Sequence, residues 1–264
     1  MTGTGTFLGR IPFARFGSGP PLLVVAGGQA FVQRPTPARV ERDARRIARI
    51  IPPGRGFILI GYDPTPPDTC LGTLGRDLVA ILEELGGDIP VMGISYGGLV
   101  ALRAAVDRPD VVARLVLLSS AHDFSPEGKR RVQRQIDFAA RGDLVGLTED
   151  FVALFRRPWL NWLLRLRLRT SRSRVRQAMN EPELIIRGLR AVVEDPLDPS
   201  ALTRMTAPCL IIGGTRDQFF GDGMQQRTAA LLPHASLALA ERETHMLAVE
   251  RPRYVARALR SFLG

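Results

Sequence analysis

Residues 90–98 read PVMGISYGG and decide how the rest of the chain folds. The short apolar run leads into the pattern Gly-x-Ser-x-Gly, and the helix-forming stretch LVALRAAV follows at residues 99–106. A strand that turns sharply into a helix needs small residues on both sides of the turn, and Gly93 and Gly97 meet that need. The pattern therefore predicts that Ser95 lies at the tip of a tight turn, above the edge of a sheet.

Strand-like and helical patterns alternate on both sides of this turn. Apolar runs that are typical of buried strands lie at residues 22–26, 57–60, 90–94, 115–118, 208–212 and 236–240, and a hairpin at 6–8 and 11–16 precedes them. Helical patterns occupy residues 39–51, 74–85, 99–106, 223–232 and 251–263. This alternation predicts an α/β fold with a mostly parallel central sheet and helices on both of its faces.

One long segment interrupts the alternation. Residues 124–200 show helical patterns throughout and no run that resembles a buried strand. We therefore expect a core domain made of residues 1–123 and 201–264, with 124–200 inserted as a helical cap or lid. Such insertions fold over the carboxyl ends of the strands, where ligands bind in α/β proteins.

Composition restricts the class of protein. The chain has 264 residues, 45% of them hydrophobic, which is typical of a globular protein with a substantial core. No apolar run reaches the length of a membrane span, and the N-terminus does not resemble a secretory signal, so a cytoplasmic location is expected. Cys70 and Cys209 lack the spacing of metal ligands and are expected to be reduced. We expect neither a metal nor a cofactor.

Three residues with complementary chemistry follow predicted strands. Ser95, Asp217 and His245 each come just after a strand, so a parallel sheet brings them to the same edge. A serine hydroxyl needs a base to take its proton, and histidine is suited to that task near neutral pH. A carboxylate is needed to orient the base and to stabilise its protonated form. The order Ser, Asp, His is the order expected for this kind of turn.

Four segments, in the same order, resemble the α/β-hydrolase family. They are FGSGPPLLVV at 16–25, GISYGG at 93–98, GGTRD at 213–217 and THMLAVERP at 244–252. The resemblance extends over almost the whole chain. It implies that Ser95 is the nucleophile, His245 the general base and Asp217 the orienting acid.

The same resemblance implies an oxyanion hole formed by the backbone amides of Gly28 and Tyr96. The family often has His-Gly after the third strand, whereas residues 26–28 read AGG here, so Gln29 is the other candidate for the first donor. The loop at 63–67, DPTPP, also departs from the Gly-x-Gly-x-Ser loop that the family often carries. That wall of the pocket is therefore expected to differ.

A second acidic residue competes for the role of orienting acid. Asp123 follows the strand at 115–118, where some members of the family carry their acid. We prefer Asp217 because its loop matches the family better. His122 is expected to be structural and His234 solvated, and Glu241 and Glu243 are expected to be surface charges.

The activity expected from these features is that of a carboxylesterase-like serine hydrolase. It would cleave an ester or a related acyl bond of a small, apolar substrate through an acyl-enzyme at Ser95. The same three residues serve lactone hydrolysis, carbon–carbon bond hydrolysis and cofactor-free perhydrolysis in this fold, so these remain alternatives. A non-catalytic binding protein with the same fold is a further alternative.

Positive charge is concentrated in the predicted lid. Residues 129–176 hold 13 basic and 4 acidic side chains, a net charge of +9 out of +10 for the whole chain, together with Trp159 and Trp162. One interpretation is a cationic, partly apolar surface that meets anionic lipid or an acidic substrate. The other, which we prefer from sequence alone, is a solvated arginine face with the tryptophans packed on the body. Nucleic acid is not an expected partner because no binding fold for it is recognised, and the oligomeric state is left open.

Overall fold

A sheet of eight strands runs through the computed structural model, which describes residues 3–221 and 223–264. The strands are β1 (Gly3–Phe7), β2 (Ile11–Phe16), β3 (Pro21–Val25), β4 (Gly56–Ile60), β5 (Ile89–Ile94), β6 (Val112–Leu118), β7 (Cys209–Gly214) and β8 (Ala235–Ala240). Their order across the sheet is β1-β2-β4-β3-β5-β6-β7-β8. All neighbours from β4 to β8 run parallel, whereas β1 and β2 form an antiparallel hairpin, and β2 is also antiparallel to β4. The predicted fold class is confirmed.

Helices follow most of the strands. They are α1 (Gln29–Val32), α2 (Pro37–Ile47), α3 (Leu71–Glu84), α4 (Tyr96–Asp107), α5 (Pro126–Ala140), α6 (Leu144–Val152), α7 (Pro158–Thr170), α8 (Arg172–Ala178), α9 (Pro182–Arg190), α10 (Met224–Leu231), α11 (Leu247–Glu250) and α12 (Pro252–Leu263). In the described part of the chain, none of them has both the length and the apolar character needed to cross a bilayer.

The central strands are apolar along their whole length because both faces of the sheet are covered. Alternate residues of β3 enter different core layers: Leu23 and Val25 pack in one layer, and Leu22 and Val24 in the other. Residues of α3, α4 and α10 belong to the first layer, and residues of α2 and α12 to the second. The sheet is thus held rigidly from both sides, and the strand ends become fixed points for functional side chains.

The segment between β6 and β7 is a helical insertion. It holds α5 to α9 and a 3-10 helix at Pro199–Arg204, and none of its residues, all of which the structure describes, belongs to a strand of the sheet. An isolated bridge pairs Gln33 with Met179 and fastens the insertion to the loop after α1. Its helical character agrees with the sequence pattern, whereas its status as a separate cap remains a prediction.

Some helix boundaries differ from the predicted ones because of local capping. Helix α3 begins at Leu71, three residues early, because Cys70 and Thr73 form a capping box at its start. Helix α2 begins at Pro37, after the Thr36 cap, and ends at Ile47. The single-turn helix α1 was not predicted, since four residues are too few to show a helical period.

An aromatic cluster joins the insertion to the turn that carries Ser95. The rings of Phe31 and Tyr62 stack at 4.1 Å, and Tyr96 meets Tyr62 edge-on at 5.4 Å. The buried hydroxyl of Tyr96 donates a hydrogen bond to the carbonyl oxygen of Gly188 in α9, at 2.6 Å. Residue 96 therefore links the sheet directly to the inserted helices.

Replacement of Tyr96 by phenylalanine tests this link. Tyr96→Phe leaves the ring in the cluster but removes the donor to the buried Gly188 carbonyl, so we expect the free energy of unfolding to fall by about 1 to 3 kcal/mol. Tyr254→Phe, on the partly exposed face of α12, is the matched control and should change it by less than about 0.5 kcal/mol. Urea unfolding measures both; equal stability of the two variants would contradict the link.

Candidate active site

Ser95 occupies a strained turn between β5 and α4. Its backbone angles are φ 54° and ψ −120°, a region that costs a non-glycine residue about 1 to 3 kcal/mol. The turn is tight: a Cβ atom at Gly93 would lie 2.3 Å from the carbonyl oxygen of Gly97, and one at Gly97 would lie 2.4 Å from that of Val25. Glycine is therefore required at both positions, as the sequence pattern indicated.

His245 and Asp217 are brought together from the ends of two neighbouring strands. Asp217 lies in the loop after β7, and His245 in the loop after β8. The Nδ1 atom of His245 lies 3.0 Å and 2.9 Å from the two carboxylate oxygens of Asp217. Since an ionised carboxylate can only accept, Nδ1 carries the proton, and Nε2 of the neutral ring is free to accept one.

The carboxylate of Asp217 is buried and held by the backbone. Its side chain has no solvent exposure, and its Oδ1 atom accepts hydrogen bonds from the amides of Phe219 at 2.8 Å and Phe220 at 3.0 Å. These two hydrogen bonds fix the direction of the carboxylate. The rings of Phe219 and Phe220 also pack near the imidazole of His245, with centroids 4.7 Å and 6.0 Å away.

Ser95 and His245 line the same cavity, whose volume is about 260 Å³. Most of the other lining side chains are apolar. Those from the helical insertion are Phe124, Val132, Phe151, Leu154 and Leu189, and those from the core are Ile94, Phe219, Met246, Ala248 and Val249. Polar side chains at the cavity are Gln29, Arg46 and Gln135. Within the described residues, no hydrogen bond joins Ser95 to His245.

The predicted oxyanion donors lie beside the serine. Tyr96 is the first residue of α4, and a Cβ atom at Gly28 would lie 3.6 Å from the Cβ atom of Tyr96. Gln29 follows at the start of α1 and also lines the cavity. The loop after β3 therefore packs directly against the turn, and both Gly28 and Gln29 remain candidates for the first donor.

Asp123, the competing acid, is engaged elsewhere. Its Oδ2 atom lies 2.6 Å from Nζ of Lys129, and its Oδ1 atom accepts from the amide of Phe124 at 2.7 Å. The structure thus places Asp217, and not Asp123, against His245. Among the described residues, no cluster of three or more His, Cys, Asp or Glu side chains is arranged to hold a metal ion.

The structure confirms the expectation for His122 and contradicts the one for Glu243. His122 is structural as expected: it is buried, and its Nδ1 atom lies 2.8 Å from the hydroxyl of Thr228. The expectation that Glu243 is a surface charge is wrong. Its side chain is 3% exposed and lies 3.5 Å from two arginine side chains, Arg156 of the insertion and Arg251.

Sequence reasoning missed the residue that holds the histidine backbone. The side-chain oxygen of Gln218 accepts a hydrogen bond from the amide of His245 at 3.1 Å. Its place directly after Asp217 was the available signal. The lining residues of the insertion were also missed, because residue order does not show which side of each helix faces the cavity.

Comparison with known proteins supports the same architecture. A family model described as the alpha/beta hydrolase family matches residues 17–258. The protein named "Putative carbamate hydrolase RutD" from Pseudomonas syringae pv. syringae (strain B728a) is 29% identical over 210 residues, which cover 75% of this chain and 77% of that protein.

Solved structures with little sequence identity share the fold. A thermophilic esterase from Thermogutta terrifontis has a TM-score of 0.74 at 20% identity, covering 100% of this chain and 98% of that chain. A bromoperoxidase from Bacillus anthracis has a TM-score of 0.73 at 19% identity, covering 96% and 95%. At such identities the likeness shows the fold alone.

The burial of His122 predicts a pH-dependent stability. Burial lowers the pKa of His122 below its usual value of 6.5. Between the lowered pKa and 6.5 the unfolded chain binds more protons than the folded one. The contribution of neutral His122 to the free energy of unfolding is therefore fully present above about pH 6.5, and it is lost as the pH falls further. When the pH is lowered from about 7.5 to about 5.5, we expect the melting temperature of His122→Gln to fall less than that of the wild type.

The exposed His234 provides the control for this measurement. Melting curves of His234→Gln should follow the wild type over the same pH range. A His122→Gln variant whose melting temperature falls as steeply as that of the wild type would contradict the assignment.

Proposed function

Because the chain belongs to the alpha/beta hydrolase family, we propose that it is a serine hydrolase that cleaves an ester or a related acyl bond of a small, apolar substrate. The observation that carries the proposal is the pairing of His245 with the buried carboxylate of Asp217, in the cavity that Ser95 also lines. An oriented base and a serine at the tip of a strained turn are the two parts that acyl transfer to a hydroxyl requires.

Acylation would begin at Ser95. Its Oγ atom attacks the carbonyl carbon of the substrate while Nε2 of His245 takes the hydroxyl proton, and Asp217 stabilises the resulting imidazolium. The tetrahedral intermediate collapses as His245 passes the proton to the leaving alcohol, which leaves the acyl group on Ser95. Water, deprotonated by His245, then attacks the acyl-enzyme and releases the acid.

Backbone amides would stabilise the negative charge that develops on the substrate oxygen. The amide of Tyr96, with that of Gly28 or Gln29, is the proposed pair of donors, and each can contribute about 3 kcal/mol in the transition state. The lack of a hydrogen bond between Ser95 and His245, both of them described residues, is compatible with this mechanism. Such bonds are often long without substrate and shorten when it binds.

The cavity supports a small apolar acyl group. Its volume of about 260 Å³ and its aromatic and aliphatic lining leave little polar surface for a charged or sugar-like substrate. The relative's name refers to carbamate hydrolysis, and a carbamate carbonyl can be attacked in the same way, so carbamates belong among the substrates to test. We also propose that the helical insertion acts as a lid, since α5, α6 and α9 contribute lining residues, and that the protein is cytoplasmic.

A fluorophosphonate probe tests the nucleophile directly. We expect the wild type to be labelled and the equally folded Ser95→Ala to remain unlabelled, because the probe reacts only with an activated serine. A panel of nitrophenyl esters of increasing acyl length, with a nitrophenyl carbamate, should show highest kcat/KM for short to medium acyl groups. A folded wild type that neither reacts with the probe nor hydrolyses any member of the panel would contradict the proposal and favour a binding protein.

A pair of aspartate variants tests the acid. Asp217→Asn removes the charge that orients and stabilises His245, so kcat/KM should fall about ten-thousand-fold. Asp123→Asn makes the same chemical change beside Lys129 and should retain activity within about tenfold of the wild type. Steady-state hydrolysis of the best ester compares them, and a larger loss in Asp123→Asn would refute the assignment of Asp217.

A further inference from the structure

The helix α7 presents an apolar stripe to solvent. Trp159, Trp162, Leu163 and Leu166 are 59%, 67%, 47% and 47% exposed, and no residue of the helix is buried. Their spacing of three, four and seven residues places them on one face, over about 100° of the helix circumference. The expectation that the tryptophans pack on the body is therefore wrong: the half-buried side is formed by Leu160, Leu164 and Leu168.

Arginines flank this stripe on both sides. At 3.6 residues per turn, Arg165 and Arg169 fall along one edge of the stripe and Arg167 along the other. All three are exposed. Arg169 pairs with Glu149 at 2.9 Å, whereas within the described residues neither Arg165 nor Arg167 forms an ion pair.

The surrounding charge is entirely positive along this part of the chain. From residue 158 to residue 178, which covers α7 and α8, there are six arginines and no acidic residue. An apolar strip with Trp and Leu, bordered by arginines, matches the interface of an anionic bilayer: the rings enter the boundary between headgroups and acyl chains, and the guanidinium groups bind phosphates.

We propose that α7 docks the protein on the surface of an anionic phospholipid bilayer, with the stripe inserted and the flanking arginines on the lipid phosphates. A second copy of the chain fits the same face less well, because apposed stripes would bring Arg165 and Arg167 of the two copies, which form no ion pair within the described residues, close together. A bilayer of zwitterionic lipid lacks the matching surface potential. This surface is independent of the proposed hydrolysis.

The segment that leads into α7 lies beside the cavity. The amide of Arg156, two residues before α7, donates to the carboxylate of Glu250 in α11 at 3.1 Å. Leu154 and Val249, on the two segments that this bond joins, both line the cavity, and Val249 is 60% exposed. Docking through α7 would therefore bring the entrance of the cavity close to the lipid.

Intrinsic fluorescence reports on this surface without any label. The chain has two tryptophans, and both lie in the stripe. Vesicles that contain phosphatidylglycerol in phosphatidylcholine should move the emission maximum to shorter wavelength and sediment with the full-length protein. Vesicles of phosphatidylcholine alone should do neither, and added salt should reverse the binding because surface charges are screened.

Matched variants distinguish lipid binding through the arginines of α7 from attraction by the net charge of the protein. Arg165→Gln with Arg167→Gln should weaken binding about 25-fold, at about fivefold per arginine. Arg257→Gln with Arg260→Gln removes the same charge from the exposed face of α12 and should leave binding within about twofold of the wild type. Trp159→Ser with Trp162→Ser should abolish cosedimentation at unchanged charge, whereas Leu237→Ser, at an exposed leucine of β8, should not.

Three outcomes would overturn the proposal. The first is a protein that stays in solution, with unchanged emission, in the presence of phosphatidylglycerol vesicles. The second is an equal loss of binding in the α7 and α12 arginine variants, which would indicate attraction by net charge alone. The third is an emission shift that grows with protein concentration in the absence of lipid and accompanies a dimer in sedimentation, which would assign the stripe to a second copy.

Discussion

The structure of the site depends on close contact between the backbone of α4 and the ends of strands β3 and β5. At Gly97 the first turn of α4 lies so near the carbonyl groups at the end of β3 that no side chain fits, and Gly93 meets Gly97 in the same way. These contacts restrict the backbone of the turn, and Ser95 adopts a positive φ of 54° within it. The position of the hydroxyl, and of everything that faces it, follows from this packing.

The other two candidate catalytic residues lie at the ends of parallel strands. Asp217 and His245 come from loops after neighbouring strands, so that a rigid sheet sets the distance between them, while backbone amides hold the carboxylate and the neighbouring phenylalanine rings confine the imidazole. The helical insertion has a different role, because it contributes about half of the apolar lining, whereas Ser95, Asp217 and His245 all come from strand ends. The candidate catalytic side chains thus follow the strands, and the insertion adds apolar surface beside them.

This division explains what the sequence could predict. Buried strands and the tight turn depend on local patterns, so the sheet, the turn at Ser95 and the contact of His245 with Asp217 could be predicted from residue order together with family resemblance. Burial of Glu243 and exposure of Trp162 depend on which helix covers which surface, a tertiary property that composition does not encode. The choice between Gly28 and Gln29 likewise depends on how a single-turn helix is oriented.

The strain at residue 95 has a consequence for how such a protein evolves. Glycine adopts φ 54° with little cost, so a glycine at this position would make the fold more stable than the serine does. A lineage that no longer needed the hydroxyl would gain stability by losing it in a single substitution. Under the proposed function, stability and reactivity therefore favour different residues at position 95, and the serine is kept for its hydroxyl.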